Sequence, residues 1–152
     1  MRMNKIIIFE NSNLHNKCQD VTSFDNRYDL LINDMKKIIE ENDAFGLAAP
    51  QIGLMEKIIV LKIDNQFKVY FNPQIKKMFG LQFYYESCLS VPGTIGLVRR
   101  PYLIELEAYD QKGNYLHEIY EGFEAITICH EIDHLSGHLF TELVERYVDI
   151  DD

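Results

Sequence analysis

The sequence is poor in basic residues. Fifteen Lys and Arg stand against twenty-four Asp and Glu among 152 residues, a formal net charge of −9. Such a surface repels phosphate backbones and anionic lipid, which excludes a general DNA binder or a membrane-surface protein, though not a local contact with a ribonucleoprotein. Only three cysteines are present, too few for a disulfide framework, and a reducing cytoplasm is the natural setting. Long apolar runs are missing as well. Near the start, Ile6 to Phe9 is closed after four residues by Glu10, too short for a signal peptide or a membrane span. No repeat, low-complexity stretch or linker divides the chain, so residues 1–152 are expected to form one domain. Against these absences stands a hydrophobic content of 47%, with nine Tyr and nine Phe, enough to bury a core.

The pattern along the chain predicts an α+β fold, with short antiparallel strands in sheets wrapped around a central helix. A first amphipathic helix is expected over Asp25 to Asn42, with Leu31, Met35, Ile38 and Asn42 on one stripe and Leu30 and Ile39 widening it. Phe45 to Gly53 reads as a small-residue loop. Lys57 to Asp64 and Phe67 to Asn72 read as a hairpin, and Gln74 to Phe79 and Gln82 to Tyr85 as further short strands. Tyr102 to Asp110 alternates as a half-buried strand does and turns back into Tyr115 to Tyr120. The second helix is expected over Phe123 to Ser136, followed by a short tail.

That second helix contains His130-Glu131-Ile132-Asp133-His134. Histidines four residues apart share one helix face and can grip a single metal ion, with Glu131 beside them to handle a proton on a water. A third ligand is needed. Downstream, His138 lies eight residues past His130, roughly 12 Å along a helix axis, too far to share the ion. It reads as a solvated side chain beyond a stop at Gly137. Cys129 lies about 100° round the helix from His130 and points away. Together with Cys18, it reads as a small buried apolar residue. Cys88, in Tyr85-Glu86-Ser87-Cys88-Leu89-Ser90-Val91-Pro92-Gly93, lies at a strand end or in a loop. One thiolate and two imidazoles give three protein ligands and an open fourth position, the pattern of a catalytic site.

Three segments taken in order, Ala44-Phe45-Gly46-Leu47-Ala48-Ala49-Pro50-Gln51, Glu86-Ser87-Cys88-Leu89-Ser90 and Cys129-His130-Glu131-Ile132-Asp133-His134, resemble those of the peptide deformylases over nearly the full length. Ala44, Ser87 and Cys129 depart from the family pattern, standing where it has glycine, glycine and glutamine. A methyl at residue 44 would matter if that position required positive φ.

The resemblance implies a hydrolase that removes the formyl group from N-formylmethionine on new polypeptides. It assigns Cys88, His130 and His134 as ligands of one divalent ion, Fe²⁺ in the cell, for which Zn²⁺ or Ni²⁺ can substitute in purified protein. Glu131 is then the proton carrier, while Gln51 and the Leu89 N–H stabilise the oxyanion. Gly46 offers backbone bonds to the peptide. Phe45, Leu89, Tyr84 and Ile126 are expected to wall the methionine pocket, with Glu86 and Arg100 at its edge. Glu86 pairing with Arg100 as plain structure is the competing expectation for those two. Formylated nascent peptides and a transient ribosome contact are the implied partners, although the tail is too short for the long C-terminal helix by which some members are thought to dock. The three departures motivate an alternative, an impaired protein that binds formyl-peptides without turning them over.

Overall fold

The computed structural model describes residues 5–148. Among the described residues the chain forms eight strands and two α-helices: α1 (Asp29–Glu41), β1 (Gly46–Ala48), β2 (Ile58–Ile63), β3 (Gln66–Phe79), β4 (Gln82–Cys88), β5 (Val91–Arg100), β6 (Leu103–Tyr109), β7 (Tyr115–Glu121), α2 (Phe123–Leu135) and β8 (Val144–Tyr147). All strand pairs are antiparallel. They build a five-stranded sheet in the order β1-β2-β3-β6-β7 and a three-stranded sheet in the order β4-β5-β8. This is the expected α+β architecture.

The run Ile58-Ile59-Val60-Leu61 shows why the layers stack as they do. A strand with one wet face alternates apolar and polar residues, whereas this one is apolar throughout and must be covered on both faces. Ile58 and Val60 pack with Ile32, Met35, Ile38 and Ile39 of α1. Ile59 and Leu61 pack with Ala125, Ile128, Cys129 and Leu135 of α2. The large sheet therefore lies between the helices. A small third cluster, Val91, Val98, Leu139 and Phe140, seats the three-stranded sheet.

Several boundaries differ from the pattern reading. The first helix begins with a 3-10 turn, Asn26–Tyr28, and its α part starts only at Asp29. Within the α part Leu30 lies about 140° round the axis from Met35 and Ile32 only about 60°, so Leu30 is 66% exposed, off the expected stripe, while Ile32 is buried. The segment 46–52 is a short edge strand running into a 3-10 turn. The two strands expected between 67 and 79 are one, interrupted by bulges. Strands β5 and β8 were hidden. Pro92, Gly93 and Gly96 dilute the β pattern of β5, yet Gly96 has a packing reason: a methyl there would sit 2.5 Å from Val144 of β8.

Gly137 stops α2 as anticipated, at φ +82. A Cβ at this position would also lie 2.7 Å from the His15 carbonyl carbon and oxygen. Neither atom can swing aside as a side chain would. Gly137→Ala is expected to cost about 1–3 kcal/mol in backbone strain, seen as a fall in Tm of roughly 5–10 °C. An unchanged Tm would show that the turn relaxes freely.

Candidate metal centre

Helix α2 carries His130 and His134 one turn apart, both buried, with ring centroids 5.1 Å apart. Cys88 ends β4 at a register shift in its pairing with β5. Such a bulge re-aims a side chain, and here Cys88 Sγ comes to 3.4 Å from His134 Nε2. One ligand atom from each of Cys88, His130 and His134 lies within 4.8 Å of the others. Among the described residues the cluster has three members.

The ring of His130 is fixed from behind. Its Nδ1 lies 2.7 Å from Glu86 Oε1, which leaves the other nitrogen for the cluster, and the ring stacks on Phe140 at 5.8 Å. Glu86 in turn accepts two bonds from Arg100, 2.8 Å from Nε and 2.9 Å from Nη2. Arg100 also donates to Asp133 at 2.6 Å. Burial works to raise the Glu86 carboxyl, but Arg100 and His130 hold it below its ordinary value. Burial likewise depresses His134, keeping that imidazole neutral with a lone pair to offer a metal. A half-buried thiol and two buried imidazoles, one of them oriented by Glu86, are a donor set suited to one ion.

Glu131 is buried beside the cluster, and burial pushes its carboxyl up to about 7. Its Oε1 has no hydrogen-bond partner among the described residues. An acid of that strength, unpaired and facing a cavity, is poised to exchange a proton near neutral pH. Gln51 is 2% exposed, and its orientation is set at both ends. The Ala48 N–H donates to Oε1 at 2.9 Å, while Nε2 donates to Ser90 Oγ at 3.1 Å and lies 3.5 Å from Cys88 Sγ. The amide NH₂ is thereby aimed at the cluster. The N-terminal segment ties these elements together, with the Ile7 and Phe9 N–H groups donating to the Gln51 and Ser90 carbonyls at 2.7 and 2.8 Å.

In front of the cluster is a cleft of about 450 Å³, lined in part by Phe45, Gly46, Gln51, Cys88, Leu89 and Glu131. Tyr84, Glu86 and Ile126 line it too, as expected from sequence. Arg100 does not. It is 4% exposed and sits behind Glu86, so the pairing expectation holds and an edge-of-pocket role does not. Sequence reasoning missed Ser90, Phe123 and Phe140. Phe123 had a signal: it stands three residues before Ile126 on the same helix face.

The model of the polypeptide deformylase family matches residues 3–148. The chain belongs to the polypeptide deformylase family. A peptide deformylase of Caldicellulosiruptor bescii is 39% identical over 97% of this chain and 89% of its own length. Peptide deformylase 2 of Clostridium acetobutylicum is 35% identical over 97% and 99%. Among solved structures, the Thermotoga maritima peptide deformylase superposes with a TM-score of 0.92 at 29% identity, covering 95% of this chain and 99% of that one. The Synechococcus elongatus enzyme in complex with actinonin gives 0.90 at 31% identity, covering 94% and 79%.

The three departures from the deformylase motifs are accommodated. None of Ala44, Ser87 and Cys129 adopts a positive φ. Ser87 faces solvent at the bulge, and Ala44 packs at the edge of the α1 core. Cys129 lies in the core, where burial raises its thiol to about 12, and Cys18 behaves in the same way. His138 is exposed and pairs with Glu142 at 3.1 Å.

Proposed function

We propose that the protein hydrolyses the formyl group from N-formylmethionyl peptides, with Cys88, His130 and His134 holding one divalent ion and Glu131 moving the proton. The carrying observation is the buried, unpaired Glu131 oxygen beside three converging ligand atoms at the floor of a cleft. A divalent ion held by Cys88, His130 and His134 would supply Lewis acidity, activating a water and the formyl oxygen. Glu131 takes the proton of the attacking water and delivers it to the departing amine. The Gln51 NH₂, already aimed at the cluster, and the Leu89 N–H donate to the oxygen as it becomes negative. Because Gln51 is fixed before substrate arrives, little reorganisation is needed at the moment of reaction.

Among the described residues strand β1 pairs only with β2 and stands at the edge of its sheet. A peptide can add there as a further strand, taking backbone bonds at Gly46. Glu86 acts from behind, fixing His130. Fe²⁺ is the ion assigned in the cell, with Zn²⁺ or Ni²⁺ able to occupy the same donors and favoured over Fe²⁺ by intrinsic affinity. Nascent chains as substrate imply a cytoplasmic site of action and transient contact with the ribosome. No helix among the described residues is long and apolar enough to cross a membrane.

Anaerobic formate release from a formyl-Met tripeptide tests this reading, using Fe²⁺- and Ni²⁺-loaded protein beside Glu131→Ala. The variant is expected to lose about 10²–10⁴-fold in kcat with its metal retained. No release from fully loaded wild-type protein would overturn the reading and favour a binding protein.

A further inference from the structure

The wall of the cleft that runs away from the metal centre is aromatic. Phe45, ahead of β1, meets Phe123 at the start of α2 edge-to-face, with centroids 4.8 Å apart and planes at 84°. Tyr84 of β4 meets the same ring at 5.1 Å and 57°. All three line the cleft. Phe45 and Tyr84 remain 55% and 42% exposed, so their rings are not spent on the core. They bracket Phe123 and present ring edges as well as faces to whatever enters.

The depth fits one side chain. Ile126 and Phe123 stand four and seven residues before His130 on the helix face lining the cleft, roughly 6 and 10 Å along the axis. In a formyl-methionine the sulfur is five bonds beyond the formyl carbon, about 6 Å when extended. With the formyl group at the metal centre, the sulfur comes level with the stretch between Ile126 and Phe123, among the three rings. A thioether is polarisable and favours aromatic neighbours about 5 Å away, often at the ring edge; a methylene of the same size gains nothing comparable. An aliphatic wall would only measure length and volume.

We propose that Phe45, Phe123 and Tyr84 form a sulfur-selective clamp, so that this protein distinguishes methionine from its isosteric hydrocarbon norleucine at the formylated position. The inference rests on the deformylase reading and adds to it a preference for one atom. The test compares kcat/KM for formyl-Met and formyl-norleucine tripeptides that are otherwise identical, with metal-loaded wild type, Phe123→Leu and Tyr84→Ile. Wild type is expected to favour methionine by about three- to tenfold. Each variant should bring the ratio towards one, chiefly by losing rate on the methionine peptide. Two positions are tested so that a poorly folded variant, recognised by its Tm, does not decide the matter. Equal rates on both peptides in an active wild type would overturn the clamp and leave the deformylase reading standing. Absence of formate from either peptide would overturn both.

Discussion

Gly46→Ala is expected to cut kcat for formate release by about a hundredfold while leaving the fold and the metal content close to wild type. A Cβ built on Gly46 lies 2.8 Å from Glu131 Oε2, 3.0 Å from Glu131 Cγ and 2.9 Å from a Leu61 methyl. Leu61 is fully buried between sheet and helix and has little room to yield. The Glu131 carboxylate is the far end of a flexible side chain and will be the group that moves. Displacing a proton-transfer group by about 1 Å can cost on the order of a hundredfold in rate, although little is lost in stability. The backbone is not the difficulty, since Gly46 is not held at positive φ. Kinetics, metal analysis and a melting curve on one preparation check the claim. Near-normal kcat would mean that Glu131 has slack at this contact, and a large fall in Tm would mean that Leu61 gave way instead.

Glu86→Met is expected to damage stability and metal affinity together, and a second substitution separates the two. Removing the carboxylate leaves Arg100, 4% exposed, with Asp133 as its remaining partner, and leaves His130 Nδ1 without its acceptor. Breaking a buried pair from one side typically costs about 3–5 kcal/mol, a Tm loss of roughly 10 °C or more for a chain of this size. Loss of the bond that orients a ligating histidine costs about 10–100-fold in metal affinity. In Glu86→Met/Arg100→Met no guanidinium is stranded and Asp133, partly exposed, can solvate. Most of the stability should return, whereas metal affinity should not. Recovery of both would show that Glu86 serves only to neutralise Arg100. The pH dependence has a definite sign. Glu86 is held below its ordinary value in the folded protein, so its contribution is fully present above the ordinary carboxylate range and is lost as pH falls through the depressed folded value. Wild type should therefore lose more stability on acidification than the double variant does.

What could be read from the sequence follows how local each signal is. The helix bearing His130, Glu131 and His134 declared itself because a five-residue spacing on a helix fixes geometry by itself. Cys88 followed by elimination and chemistry, although the bulge that aims it leaves no mark in the sequence. The hairpin β2-β3 was visible through its apolar run and turn residues, and β6-β7 through alternation and turn residues. Strand β5 was not, because Gly96 is there for the approach of Val144, a contact between positions 48 residues apart that no window of sequence contains. Arg100 was half-read for a related reason. Pairing with Glu86 could be guessed from charge, but whether the pair faced the cleft or lay behind it depends on which side of β5 is covered. Ser90 was missed because a single hydroxyl carries no pattern.

The chain pairs β3 directly with β6 and leaves the intervening β4-β5 hairpin to stand apart. Two histidines and Glu131 ride on a helix seated in the main core, whereas Cys88 rides on that hairpin, held by a cluster of four buried apolar residues. Small clusters open at lower free energy than large ones. In hydrogen-exchange measurements on metal-stripped protein, amides of the three-stranded sheet should exchange well before those of β2 and β6. Mild denaturant would then separate thiol from imidazoles, and silence the protein, while most of the molecule was still folded.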